Sequence, residues 1–272
     1  VFKLSPKYLL FLNVDREHID FYKTYSNYKS KIKKYIVSQD KKNVKIFVNH
    51  DDEFLNSLQK YSSNIRTFGS NFNADYSYKL IKLNYKKSFF NFYKAKKIIS
   101  KNLSTNLLGE HNVQNLTAVL SIINDLGYKI KKNHILNFKG TNRRMNVLGR
   151  IKKVLFIDDY AHHPTEIEKL INIISLYKKK RIFLIIEPHR YSRLNDLYNE
   201  YLEVFKNIHN LIILKTYEAG ESFKSGMMNS KNLVNDLNVL NNQKTKYFEN
   251  YHDLFKLLDQ IVVNKSECII IA

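Results

Sequence analysis

Apolar residues recur along this chain in two rhythms, and the change between them falls near residues 143–150. In the first half the signals are mixed. Short apolar, β-branched runs at 8–13 and 44–49 predict strands, a longer polar–apolar stretch over 21–37 predicts a helix, and 52–61 predicts a shorter one. Residues 76–94 alternate as a hairpin does. Val113, Leu116, Val119, Leu120 and Ile123 then repeat at helical spacing, which predicts a helix over 111–126 stopped by Gly127.

The second half is regular. Strand-like runs at 154–157, 182–186, 211–214, 246–248 and 268–271 alternate with helical stretches near 165–177, 194–206, 230–238 and 251–263. Such βαβα alternation predicts a parallel sheet with helices on its faces. The intervening T-N-R-R-M-N-V-L-G-R combines turn residues with charge. It predicts two α/β domains, 1–143 and 144–272, the second Rossmann-like.

Composition narrows the classes. A 44% hydrophobic content supports a real core, but the apolar runs are only strand-sized, so no membrane-spanning helix is expected. No segment reads as a signal peptide, and the cytoplasm is the expected compartment. The single cysteine, Cys268, lies in an apolar run and rules out a disulfide framework. The formal charge of +20 resembles a nucleic-acid signature, yet the lysines are dispersed in pairs and triplets along the whole chain. With abundant Asn, Ile and Tyr, they read as AT-rich coding and a solvated surface. No specific nucleic-acid partner is expected.

The candidate chemistry sits where strands stop. The run V-L-F-I ends in Asp158, Asp159, Tyr160, His162 and His163 before a proline that opens a helix. The next strand ends in Glu187, His189, Arg190 and Arg193, and the third in Tyr217 and Glu221 around Gly220. If these strands are parallel, all three clusters share the crevice edge of one sheet. Two arginines beside a histidine suit a small carboxylate or phosphate; the alternative is that they merely cap and salt-bridge the following helix. The paired histidines lack zinc-site spacing. In the first half, H-N-V-Q-N places Asn112 and Asn115 one helical turn apart, suited to an adenine edge, or to simple N-capping by Asn112. N-V-D-R-E-H-I-D at 13–20 gathers acids around His18. No G-x-x-x-x-G-K-[ST] and no G-x-G-x-x-G occurs.

The segments D-D-Y-A-H-H-P-T-E-I, E-P-H-R-Y-S-R-L-N-D-L, Y-E-A-G-E, G-E-H-N-V-Q-N and F-K-G-T-N-R-R together resemble the Mur ligases, in order and spacing, from about residue 9 onward. The doubled-His and H-R-Y-S-R motifs point to the branch that joins L-alanine to UDP-N-acetylmuramate. The resemblance implies a partial central ATPase domain followed by the Rossmann-like C-terminal domain. It implies ATP and Mg²⁺ as cofactors and an acyl phosphate on the muramate carboxylate that the amine of L-alanine attacks. It further implies His18 as a Mg²⁺ ligand, and His111, Asn112, Asn115, Arg144 and Asp159 at the nucleotide. Tyr160, His162, His189, Arg190 and Arg193 would lie around L-alanine and the reacting carboxyl. Where such ligases read T-N-I-E-x-D-H this chain reads L-N-V-D-R-E-H, and R-R-M stands for R-R-F. The resemblance starts after the family's UDP-binding domain and phosphate loop. The expectation is therefore a fragment or a decayed gene product, inactive alone. A murein-tripeptide recycling ligase and an inactive basic remnant are the alternatives.

Overall fold

A computed structural model describes residues 6–17, 19–40, 44–177, 181–241, 244–263 and 268–272. The chain divides into two compact units, 1–139 and 140–272, each with its own sheet.

In the first unit, β1 (Tyr8–Phe11), β2 (Lys45–Asn49), β3 (Ile65–Gly69) and β4 (Tyr76–Leu83) are parallel. β5 (Ser88–Lys94) and β6 (Lys97–Thr105) continue the sheet antiparallel. The two-residue period of β2 divides its side chains between faces. Phe47 joins a cluster with Phe68, Tyr76, Phe90, Phe92 and Val113, while Ile46 and Val48 pack with Ile36, Leu55 and Leu58. Helices therefore lie on both faces. α4 (Glu110–Asp125) and α5 (Lys132–Asn137) cover the first, α2 (Tyr25–Asp40) and α3 (Glu53–Asn56) the second.

Several expectations are corrected here. The helix foreseen over 21–37 is two, α1 (Ile19–Tyr22) and α2, because Lys23 adopts a left-handed φ of 68° that a continuous helix cannot hold. The 76–94 hairpin carries a third strand, β6, and β3 precedes it unforeseen. The 52–61 helix is α3 followed by a 3₁₀ turn, with Asp52 as N-cap, its carboxylate accepting from the Leu55 amide at 2.9 Å.

The second unit holds β7 (Asn146–Ile151), β8 (Val154–Asp158), β9 (Arg181–Ile186), β10 (Leu211–Leu214), β11 (Lys246–Phe248) and β12 (Cys268–Ile271). They lie in the order β11-β10-β9-β12-β8-β7, parallel except for β7. β12 is buried along its whole length between β8 and β9. One face packs against α6 (Pro164–Ile174), α8 (Tyr198–Phe205) and α9 (Ser230–Asn241), and the other against α10 (Tyr251–Val263). The helix expected over 194–206 is two, α7 (Tyr191–Asp196) and α8, broken at Leu197 with φ −118°. The charged turn foreseen at 143–150 also becomes an edge strand, since residues 146–151 pair with β8. Among the described residues no helix is long and apolar enough to cross a membrane.

Candidate functional site

Because β8, β9 and β10 run parallel, their polar ends lie at one edge of the second sheet. At the end of β8 the chain leaves the sheet after the Asp159 amide donates to the Ala272 carbonyl at 2.8 Å. The Asp159 carboxylate then accepts from two backbone amides, Met145 at 2.8 Å and Ala161 at 2.9 Å. Burial pushes this carboxyl up, against the pull of those two amides. Asp159 thus ties the segment before β7 to the end of β8. That segment is strained, with Arg143 and Met145 at φ 59° and 48°. Arg143 is held three ways. Its carbonyl accepts from the Tyr160 amide at 2.9 Å, its Nε lies 3.6 Å from Asp158, and its guanidinium lies 4.5 Å from the Tyr160 ring centre.

Next come the doubled histidines, which do different things. His163 is buried and caps α6, its Nδ1 accepting from the Thr165 amide at 3.2 Å, with Pro164 in the first turn. Glu166 completes the capping box and collects further donors: the amides of His162 and His163 at 3.2 and 3.4 Å, and Arg144 Nη2 at 2.9 Å. Burial pushes the Glu166 carboxyl up, but the Arg144 guanidinium and the His162 amide outweigh it, and the net pKa lies below the ordinary glutamate range. A lowered carboxyl contributes stability that is full above the ordinary value of about 4.3 and lost as pH falls through the lower folded value. Glu166→Gln is therefore expected to cost about 1 kcal/mol at neutral pH. In urea melts of both chains the gap should close toward pH 3, and a gap independent of pH would refute the charge-based account.

His162 faces the site. Its Nδ1 lies 2.9 Å from the Tyr160 carbonyl. A carbonyl can only accept, so Nδ1 carries the proton and Nε2 is the basic nitrogen of the neutral ring. At the end of β9, His189 pairs with Tyr217 in a short bridge, and Arg193 Nη1 donates to the His189 carbonyl at 2.9 Å. The same Nη1 lies 3.4 Å from His189 Nδ1. The three strand ends meet through rings. Tyr160 and His162 are 4.9 Å apart, His162 and His189 5.5 Å, and His189 and Tyr217 5.1 Å between centres. Glu187 turns instead to the Tyr251 hydroxyl at 2.6 Å, a bond that pushes this phenol up to about 12. The arrangement gathers cationic guanidinium and imidazole groups beside aromatic rings, a chemistry suited to an anionic ligand and to proton transfer.

In the first unit, α4 begins at Gly109 with φ 89° and no side-chain cap. Asn112 is thus not the N-cap. Its carboxamide donates to the Leu108 carbonyl at 2.7 Å, while His111 and Asn115 lie on the same first turns, half-buried. Sequence reasoning missed a network beside them. Gln114 donates to Asn49 Oδ1 and Asp51 Oδ2 at 3.1 and 3.0 Å, and Asp51 also accepts from the Ser70 and Asn71 amides at 2.6 and 3.3 Å. The signal was the abrupt N-H-D-D after a buried strand. Gly69 permits it, because a Cβ there would lie 2.8 Å from the Asp51 carboxylate oxygens. Gly69→Ala is expected to destabilise by about 1–3 kcal/mol in thermal or urea melts. Unchanged stability would refute the close approach. His18 lies outside the described residues, so the Mg²⁺ expectation gains no geometry and no step below passes through a metal.

Two family models match in succession: the Mur ligase middle domain over residues 1–123, and the Mur ligase glutamate ligase domain over 143–272. The chain belongs to the Mur ligase family. Among its curated relatives is the UDP-N-acetylmuramate–L-alanine ligase of Caldanaerobacter subterraneus subsp. tengcongensis, 32% identical, covering 95% of this chain and 56% of the relative. The enzyme of the same name from Pelagibacter ubique is also 32% identical, covering 97% of this chain and 58% of that relative. This chain therefore spans little more than half the length of these relatives. In fold it is similar to the crystal structure of UDP-N-acetylmuramate–alanine ligase from Thermotoga maritima, at a TM-score of 0.75 and 20% identity, covering 99% of this chain and 56% of that one.

Proposed function

We propose that this chain carries the nucleotide and acceptor parts of an ATP-dependent, cytoplasmic ligase that adds L-alanine to UDP-N-acetylmuramate in peptidoglycan synthesis. The observation that carries the reading is the meeting at one sheet edge of His162 from the end of β8, His189 and Arg193 from the end of β9, and Tyr217 from the end of β10. ATP supplies a phosphoryl group that turns the muramate carboxylate into an acyl phosphate. Asn112 and Asn115 on α4 offer carboxamides suited to an adenine edge, with His111 beside them. Arg144 and Asp159 belong to the nucleotide side of the site. The carboxylate of L-alanine is bound by the planar forks of Arg190 and Arg193. Its ammonium must lose a proton before attack, and the His162 imidazole, whose ring lies against those of Tyr160 and His189, is the base assigned to that step. Tyr160 bounds the pocket and limits the acceptor side chain.

The test is an NMR titration of histidine ring and arginine side-chain resonances in the 272-residue chain. L-alanine is expected to shift His162, His189, Arg190 and Arg193 together, and the tripeptide L-alanyl-γ-D-glutamyl-diaminopimelate is not. A preference for the tripeptide would transfer the reading to murein recycling. Binding of neither, together with salt-sensitive polyanion binding, would identify a basic remnant.

A further inference from the structure

The segment after β10 contains a carboxylate to which the proposed reaction gives no role. Glu221 follows Gly220, and its two oxygens take both donors of Ser192: the amide at 2.9 Å and the hydroxyl at 2.6 Å. Oε1 also lies 4.0 Å from Arg190 Nη1. Ser192 is the second residue of α7 and lies between the two arginines. The N-cap of α7 is Arg190 itself, which makes no side-chain cap. A capping side chain accepts from the amide two or three residues further on, and Glu221 takes such an amide from a different strand connection.

The backbone at Arg190 makes such a brace necessary. Its φ of 72° is the left-handed region, costly for an arginine and kept only where surroundings enforce it. The Arg190 amide donates to the Tyr217 carbonyl at 2.8 Å, and the Tyr217 amide donates to the Pro188 carbonyl at 2.8 Å. The β10 connection therefore grips the β9 connection at two places, once by backbone and once by Glu221. We propose that Glu221 is a positioning residue for the Arg190–Arg193 pair, capping α7 from the neighbouring strand end and so setting the spacing at which the two guanidiniums meet the acceptor carboxylate. This assignment rests on the L-alanine reading of the site for its functional part.

The experiment uses the whole 272-residue chain, with Glu221→Ala, Glu221→Gln and, as a control in the same unit, Tyr198→Phe, which removes only the bond to Asp236. Two quantities are read: hydrogen exchange of amides 190–194, and L-alanine affinity by NMR. Glu221→Ala is expected to speed the exchange of 190–194 about tenfold and weaken L-alanine about tenfold, from loss of a cap and of preorganisation. Glu221→Gln should restore both to within about threefold, because a carboxamide oxygen still accepts the Ser192 amide. Tyr198→Phe should change neither. Unchanged exchange in Glu221→Ala overturns the proposal, as does faster exchange with unchanged affinity, or failure of glutamine to rescue. If the unsubstituted chain binds no L-alanine, the functional reading falls. The exchange contrast between alanine and glutamine then still decides whether Glu221 holds α7.

Discussion

Arg193→Ala is expected to weaken L-alanine binding by roughly 30- to 100-fold, about 2–3 kcal/mol, the scale of removing a charge-assisted hydrogen bond to a small carboxylate. Two effects add. The fork proposed for the carboxylate goes, and the His189 carbonyl loses the Nη1 donor now 2.9 Å away. Arg193→Lys should recover little, since a compact ammonium cannot hold the His189 carbonyl and the proposed carboxylate at once as a planar guanidinium can. The readout is the same NMR titration with L-alanine, with thermal melting to confirm that the fold persists. An affinity within about twofold of the unsubstituted chain would remove Arg193 from the acceptor pocket and favour the basic-remnant reading.

The second large effect concerns stability. Asp159→Ala is expected to cost roughly 2–4 kcal/mol, because it orphans the Met145 and Ala161 amides, each worth about 1–3 kcal/mol when left without a partner. The loss should exceed that of an ordinary surface substitution, which stays within about 0.5 kcal/mol. It should also loosen the strained 143–145 turn, and with it the stacking of Arg143 on Tyr160. Asp159→Asn keeps one acceptor oxygen and should recover about half. Urea unfolding monitored with hydrogen exchange at residues 143–161 measures both. A cost below about 0.5 kcal/mol for the alanine variant would mean that the two amides find other partners.

Much of the second unit was legible because its central strands β10 and β12 are buried on both faces and read as the bare apolar runs L-I-I-L and C-I-I-I. β7 was not, because all six of its residues are exposed; an edge strand has no apolar period to betray it. β3 and β6 hid for related reasons, one short and carrying Arg66, the other largely exposed and interrupted by Lys101 and Asn102. The strand order was also out of reach. Pairing of β12 with both β8 and β9 is a long-range choice that leaves no local mark.

The site was legible as types and less so as wiring. Three polar strand ends announced a crevice, and the parallel sheet brings their rings together. The strand-end pattern alone could not distinguish His162 from His163, which is spent as a helix cap; only the family resemblance singled out His162. Nor could it reveal that Glu166 and Glu221, each on a different element, hold cationic partners and backbone amides at once. Such carboxylates look like ordinary surface acids until their donors are placed. Gln114 is the same case in the first unit, a helix residue whose reach to Asn49 and Asp51 depends on where β2 ends.

The placing of β12 between β8 and β9 makes the second unit slow to commit. During synthesis β8 emerges early with its site residues, yet its inner neighbour follows only after β9, β10 and β11 have been made. Until then β8 can pair only with β7, and the two blocks of the sheet have no strand to join them. The Asp159 amide also lacks its partner at Ala272. Such distant pairing carries a high loop-closure cost and slows folding. A nascent chain would hold the D-D-Y-A-H-H-P segment exposed, beside an unpaired strand edge, throughout that interval. The site's assembly is thereby a checkpoint: it reports that β12 has been threaded between β8 and β9.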